Sequence, residues 1–202
     1  MIQKITFLLL FISALSTSSS AQLLDAAALD TMKVYTSIES AMKNPDEVYR
    51  LHLNRKKLTE IPPEVFQLKN LQELILEKNK IDSIPDEIIK LKYLQIFNIS
   101  QNKVVVIPNA MLSLIHLRTL DISDNFLDVI PENIDKLANL EYLILWDNPI
   151  TVYPNSLGML EKLKVLDLMH NLISKETQDR LYNILPDAKL IMSAPCRCQD
   201  GE

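Results

Sequence analysis

Five asparagines recur at one interval: Asn79, Asn102, Asn125, Asn148 and Asn171 are each 23 residues apart. Pro62, Pro85, Pro108, Pro131 and Pro154 keep the same spacing. Two residue types locked to one period constrain the chain to a stack of equal supersecondary units. The apolar residues obey the same count. The unit LQELILEKNKIDSIPDEIIKL, residues 71–91, carries Leu71, Leu74, Leu76, Ile81, Ile84, Ile88 and Leu91. This register restarts at Leu94, Leu117 and Leu140, and the preceding unit opens it at Val48, Leu51 and Leu53. After Leu160 it survives only as Leu163, Leu166, Leu168 and Ile173, and Glu176, Arg180 and Asn183 then take apolar positions. In each L-x-L step the side chains alternate faces, so both Leu point inward. The Pro opens a short turn or helix on the far side. One unit cannot bury its own register, but stacked units share a continuous core.

The unit, L-x-x-L-x-L-x-x-N-x-L followed by x-x-I-P-x-x-I-x-x-L, resembles the leucine-rich repeat, and the resemblance covers residues 48 to about 192. It implies an α/β solenoid: a horseshoe or arc with a parallel β-sheet on its concave face, short helices or turns on its convex face, and helical caps at both ends. It also implies that the periodic Asn form an asparagine ladder. A buried amide is costly unless bonded, and an Asn amide both donates and accepts, so it can tie its own turn to the neighbouring one. These Asn read as structural, not catalytic. Lys56 stands at the ladder position of the first unit and its side chain cannot accept, which marks that turn as an end.

Solenoid ends need covering. At the N-terminal end Thr36 and Glu39 have capping-box spacing, Ile38 and Ala41 can cover the first unit, and Pro45 is expected to stop the helix. Residues 22–35 read as either loose or a short helix. At the other end the sequence predicts a helix from about Lys175 to Leu185, then a strand with Ala188, Leu190 and Met192 inward. The cysteine-rich caps usual in secreted animal relatives are missing, so the chain looks more like secreted bacterial ones.

The first residues read as targeting rather than fold. Lys4, an apolar run from Ile5 to Leu15 and a small-residue stretch to Ala21 form a secretory signal peptide, residues 1–21. The run is too short to span a membrane, so no membrane insertion is expected after cleavage near Ala21. The expected location is secreted, periplasmic or cell surface. The divisions that follow are an N-terminal segment and capping helix over 22–47, about six repeats plus a terminal strand over 48–192, and a flexible tail over 193–202. That tail holds Cys196 and Cys198, whose spacing strains an internal disulfide and supplies half a zinc site at most. The chain has only two glycines, Gly158 and Gly201, which speaks against many tight turns of positive φ and excludes Gly-rich phosphate loops. A net charge of −5 argues against nucleic acid as a partner.

No catalytic constellation is spaced together. His52, His116 and His170 fall in different units, and no His, Cys or Asp group has ligand spacing. The expectation is a non-enzyme with neither metal nor cofactor. What varies between units is the outward face of the sheet, which can be read by adding 23 residues. One column is Arg50, Glu73, Ile96, Thr119, Tyr142 and Val165; the next is His52, Ile75, Asn98, Asp121, Ile144 and Asp167. The third runs Asn54, Glu77, Ser100, Ser123, Trp146 and Met169, and a rim column ends in Asp124, Asp147 and His170. The C-terminal half therefore gathers Tyr142, Ile144, Trp146, Val165 and Met169 inside a ring of Asp121, Asp124, Asp147, Asp167 and His170. An apolar centre with a polar rim has the makeup of a binding hot spot for an unidentified protein or peptide with some positive charge. The same side chains would also serve merely to shield the sheet. Two alternatives remain: a glycan or cell-wall binder stacking on Trp146 and Tyr142, and a structural, self-assembling envelope protein. The N-terminal end, with Arg50, His52, Arg55, Lys56 and Lys57, reads chiefly as solvated charge beside a cap.

Overall fold

The computed structural model describes residues 23–195. The expected signal peptide and both cysteines lie outside the described residues. The eight strands form one parallel sheet in chain order. They are β1 (Val34–Tyr35), β2 (Arg50–His52), β3 (Glu73–Ile75), β4 (Ile96–Asn98), β5 (Thr119–Asp121), β6 (Tyr142–Ile144), β7 (Val165–Leu168) and β8 (Lys189–Met192). From β2 to β7 every paired residue lies 23 positions from its partner, as in Glu73 with Ile96 and Tyr142 with Val165. The step to β8 is 24, pairing Val165 with Lys189. The chain is thus an α/β solenoid of stacked units.

The periodic residues explain the coil. Each Pro carbonyl accepts a bond from the amide three residues on: Val65 to Pro62, Ile88 to Pro85, Met111 to Pro108, Ile134 to Pro131 and Leu157 to Pro154. That bond closes a 3-10 turn on the far side of the sheet, and its donor is in each case a core residue. The inward residues of β2 to β7, such as Leu74, Phe97, Leu120 and Leu143, are fully buried. The apolar register fills one continuous core from Tyr35 to Leu185.

The Asn turns are bridged as well. Asn125 Nδ2 donates to the carbonyls of Ile99 in the previous unit and of Ile122 and Ser123 in its own, while its Oδ1 accepts from Val104 N at 2.8 Å. Asn102 and Asn148 make the equivalent set. At the first turn Asn79 Oδ1 accepts from Lys56 N and Leu58 N, beside solvent. At the last, Asn171 Oδ1 is buried with no partner, because Ile150 N, the amide 21 residues earlier that would match the donors of the other turns, does not bond it.

The residue before each ladder Asn takes positive φ: Lys78, Gln101, Asp124, Asp147 and His170 lie between 50° and 59°, joined by Arg55 and Lys57 at the first turn. The scarcity of glycine therefore misleads. The tight left-handed turns are present, built on residues with side chains, and the ladder bonds on either side hold a conformation that costs non-glycine residues about 1 kcal/mol or more each.

The caps depart from expectation in detail. Helix α1 (Ala26–Thr31) and strand β1 occupy the segment whose structure was open. Pairing of β1 with β2 keeps the chain extended to Tyr35, so α2 (Ile38–Ala41) starts one residue late. Its cap is Ser37, whose Oγ accepts from Ser40 N, and not the Thr36–Glu39 pair. Nor does Pro45 end it: Met42 is already its C-cap, and Pro45 begins a separate turn. At the far end α3 (Lys175–Ile184) is capped by Ser174. It lies so close to the last convex turn that a Cβ added at Gly158 would sit 2.8 Å from the Ile184 carbonyl oxygen. Gly158→Ala is expected to lower stability by about 1–3 kcal/mol by pushing α3 off the core. A thermal melt unchanged from wild type would contradict that packing.

Candidate concave binding surface

Outward side chains of the strands line the concave face, but its N-terminal half is already occupied. The chain before β1 folds back across it. Leu24 N donates to Gln72 Oε1 and Gln95 Nε2 donates to Leu24 O at the entrance to β3 and β4. At the other end of α1, Arg50 on β2 donates to the Asp30 carbonyl. Between these anchors Leu29 is 2% exposed although it lies apart from the main core. Glu73, itself buried, receives both Arg50 Nε and Nη2 and contacts His52 Nε2. Two of the five basic residues at this end are thus tied to one carboxylate, and the segment is a cap with a neutralised base.

The open strip begins next to α1. A hollow of about 270 Å³ has Ala26 and Leu29 on one side, Ile96 and Thr119 beneath, and Tyr142 and Lys164 beyond. Glu141 forms its polar end, bridged by Arg118 at 2.6 Å and Lys164 at 2.5 Å. Those bonds, Lys164 first, hold the Glu141 carboxyl below its ordinary value against the opposing effect of burial.

The expected patch residues are brought onto neighbouring strands. Tyr142 pairs with Val165 and Ile144 with Asp167, while Trp146 and Met169 follow on the same two units. Tyr142 is 38% exposed, and Ile144, Trp146, Val165 and Met169 are half-buried. Asp121 and Asp167 are half-buried within the sheet, whereas Asp147 and His170 are exposed on their left-handed turns. Asp121 Oδ1 accepts from Ser123 N and Oγ, and Oδ2 accepts from Asn98 Nδ2. Burial raises its carboxyl above the ordinary value; the Ser123 bonds oppose this, and the Glu77 and Asp167 charges add to it.

That raised value has a stability consequence. The folded chain binds the Asp121 proton more tightly than the unfolded chain does, so this group costs stability as pH rises through its folded value. Asn98 fills the same position one unit earlier and bonds Ser100 in the same way, so Asp121→Asn keeps the Ser123 bonds and loses, at every pH, only the acceptor for Asn98 Nδ2. The melting temperature of Asp121→Asn relative to wild type is expected to be higher at pH 7 than at pH 3. An equal difference at both pH values would contradict the burial argument.

Three features escaped the sequence reading. Lys189 and Ile191 extend the outward columns past Val165 and Asp167, hidden by the 24-residue step into β8. The α1 crossing carries no periodic signal. Several exposed apolar side chains, among them Leu172 at 66% with Val106, Phe126 and Val152, lie outside the strands at positions that the register treats as variable.

A solenoid of 23-residue units with an amide-bonded turn and a parallel concave sheet defines a repeat protein of the binding type. The Leucine rich repeat family profile matches residues 46–104, 92–150 and 115–173, and the chain belongs to that family. Repeats of this family suggest a protein–protein interaction module. Among solved structures, a leucine-rich repeat protein of Leptospira interrogans superposes with a TM-score of 0.66 at 27% identity, over 81% of this chain and 49% of that one. The chain thus spans about half the length of that protein. A comparison with curated proteins returns no match. Among the described residues, no helix is long and apolar enough to cross a membrane, and no group of three or more His, Cys, Asp or Glu is placed to hold a metal ion.

Proposed function

We propose that the protein is an extracytoplasmic binding module that holds a protein or peptide on the concave strip over β5 to β8. The observation that carries the reading is the continuous apolar strip left open beyond α1, with Tyr142, Ile144, Trp146, Val165 and Met169 inside a rim of Asp121, Asp147, Asp167 and His170. Half-buried aromatic and aliphatic side chains there need little ordering on binding, and their polar rim limits water. The carboxylates favour a partner segment with Lys or Arg beside an apolar or aromatic side chain. The extracytoplasmic setting rests on the Lys4, Ile5–Leu15 and Ala21 pattern.

Tyr142 and Trp146 both point outward, so their truncation leaves the core register intact. The double variant Tyr142→Ala, Trp146→Ala is expected to lose about 100-fold or more in affinity for whatever wild type recovers from medium or envelope extract. Recovery at the wild-type level, with the melt unchanged, would remove these residues from the site.

A further inference from the structure

A second feature lies beside the convex turns of the first and second units. A hollow of about 600 Å³ is lined by Lys69, Lys90 and Lys92 together with Phe66 and Tyr93. All three lysines are exposed, and none forms an ion pair among the described residues. This is unexpected in a chain with 26 acidic residues against 21 basic ones. The one carboxylate in the lining belongs to Asp46, whose backbone carbonyl accepts from buried Asn70 Nδ2 at 2.6 Å.

The cluster is local to these units. Lys69 and Lys92 are equivalent positions, and the same position carries Ile115, Ala138 and Glu161 further on. Tyr93 is held by a stack on His116, with centroids 6.1 Å apart and rings 12° from parallel. An adjoining hollow shares Phe66 and Lys90 but is lined by Glu60 and Glu87, which repel an anion. The three lysines therefore share one hollow with a stacked ring in its wall. Lysine is a compact point charge that suits several separate anionic groups, and an aromatic ring offers an apolar face to a cyclic body.

We propose that this hollow binds a polyanion of saccharide or cyclitol size, with sulfate or phosphate groups on Lys69, Lys90 and Lys92 and its ring against Tyr93 and Phe66. It is separate from the concave surface and stands whether or not that surface takes a protein.

Calorimetric titration of the full chain with inositol hexakisphosphate and with sucrose octasulfate separates the phosphate and sulfate sources. At least one is expected to bind at low ionic strength and to weaken as salt is added. K69Q/K90Q/K92Q is expected to weaken that binding about tenfold or more, and K80Q/K103Q/K136Q, which removes equal charge elsewhere, by about twofold or less. Tyr93→Ala is expected to weaken it while leaving the charge unchanged. Failure of both probes to bind would overturn the proposal. So would equal losses from the two triple variants, because binding would then follow net charge rather than this hollow.

Discussion

Asn125→Ala is expected to cost about 3–4 kcal/mol of folding stability. The side chain is buried, and its removal strands the carbonyls of Ile99 and Ile122 and the amide of Val104. A buried polar group left without its partner costs about 1–3 kcal/mol, and the methyl group of Ala supplies none of the lost bonds. Asn79→Ala removes a similar bond set at the first turn, where Lys56 is exposed and water can replace the amide. Its expected cost is about half as large. Because a solenoid can open unit by unit, urea unfolding is best paired with hydrogen exchange at Val104 and Leu58. Equal costs at the two positions, or a loss below about 1 kcal/mol for Asn125→Ala, would mean that the turns are held by backbone bonds alone.

Glu73→Ala is expected to cost about 3 kcal/mol and to release the N-terminal cover. The Glu73 carboxylate is buried and bonded to both Arg50 nitrogens, with His52 on the same oxygen as Nη2. Removing one partner of such a pair leaves the other charge poorly solvated, which is the costly half of a buried ion pair. Arg50 is also the group that holds the Asp30 carbonyl, so disordering it loosens α1. The check is a melt together with exchange of the Leu29 amide, which bonds Asp25 O within α1. Loss of overall stability with Leu29 protection unchanged would uncouple Glu73 from α1.

The coil was legible because its physics is periodic. Each inward Leu, each Pro carbonyl and each ladder Asn does the same job 23 residues later, so one unit predicts the next. The outward columns follow from the same arithmetic, which is how Tyr142, Ile144 and Trp146 were separated from Leu143 and Leu145. Legibility failed where the period breaks. The extra residue before β8 hid Lys189 and Ile191, and α1 is held by single contacts from Gln72, Gln95 and Arg50 that no pattern encodes. Gly content failed for another reason. The ladder bonds stabilise left-handed turns at Gln101, Asp124 and Asp147, so glycine is not required there.

α1 also sharpens the functional reading. It fills the face over β2 to β4 with a short helix whose one buried apolar side chain, Leu29, lies over the sheet. What remains open is the strip that starts beside Leu29 and runs through Tyr142 to Met169. A partner that used the whole arc would first have to displace α1; one that uses the open strip meets it ready-formed, at lower ordering cost.

The measurement closest to that claim is site-specific photocrosslinking, with a photoreactive side chain in place of Trp146 on the concave strip and, separately, in place of Val129, which is exposed and bridged to Val152 outside the concave sheet. Both variants would be exposed to the same medium or envelope extract and the captured products compared by mass spectrometry. One protein or peptide is expected to be captured from position 146, less of it when Tyr142→Ala is added, and none from position 129. Capture of the partner from position 129 alone would place binding outside the concave sheet and contradict the concave assignment.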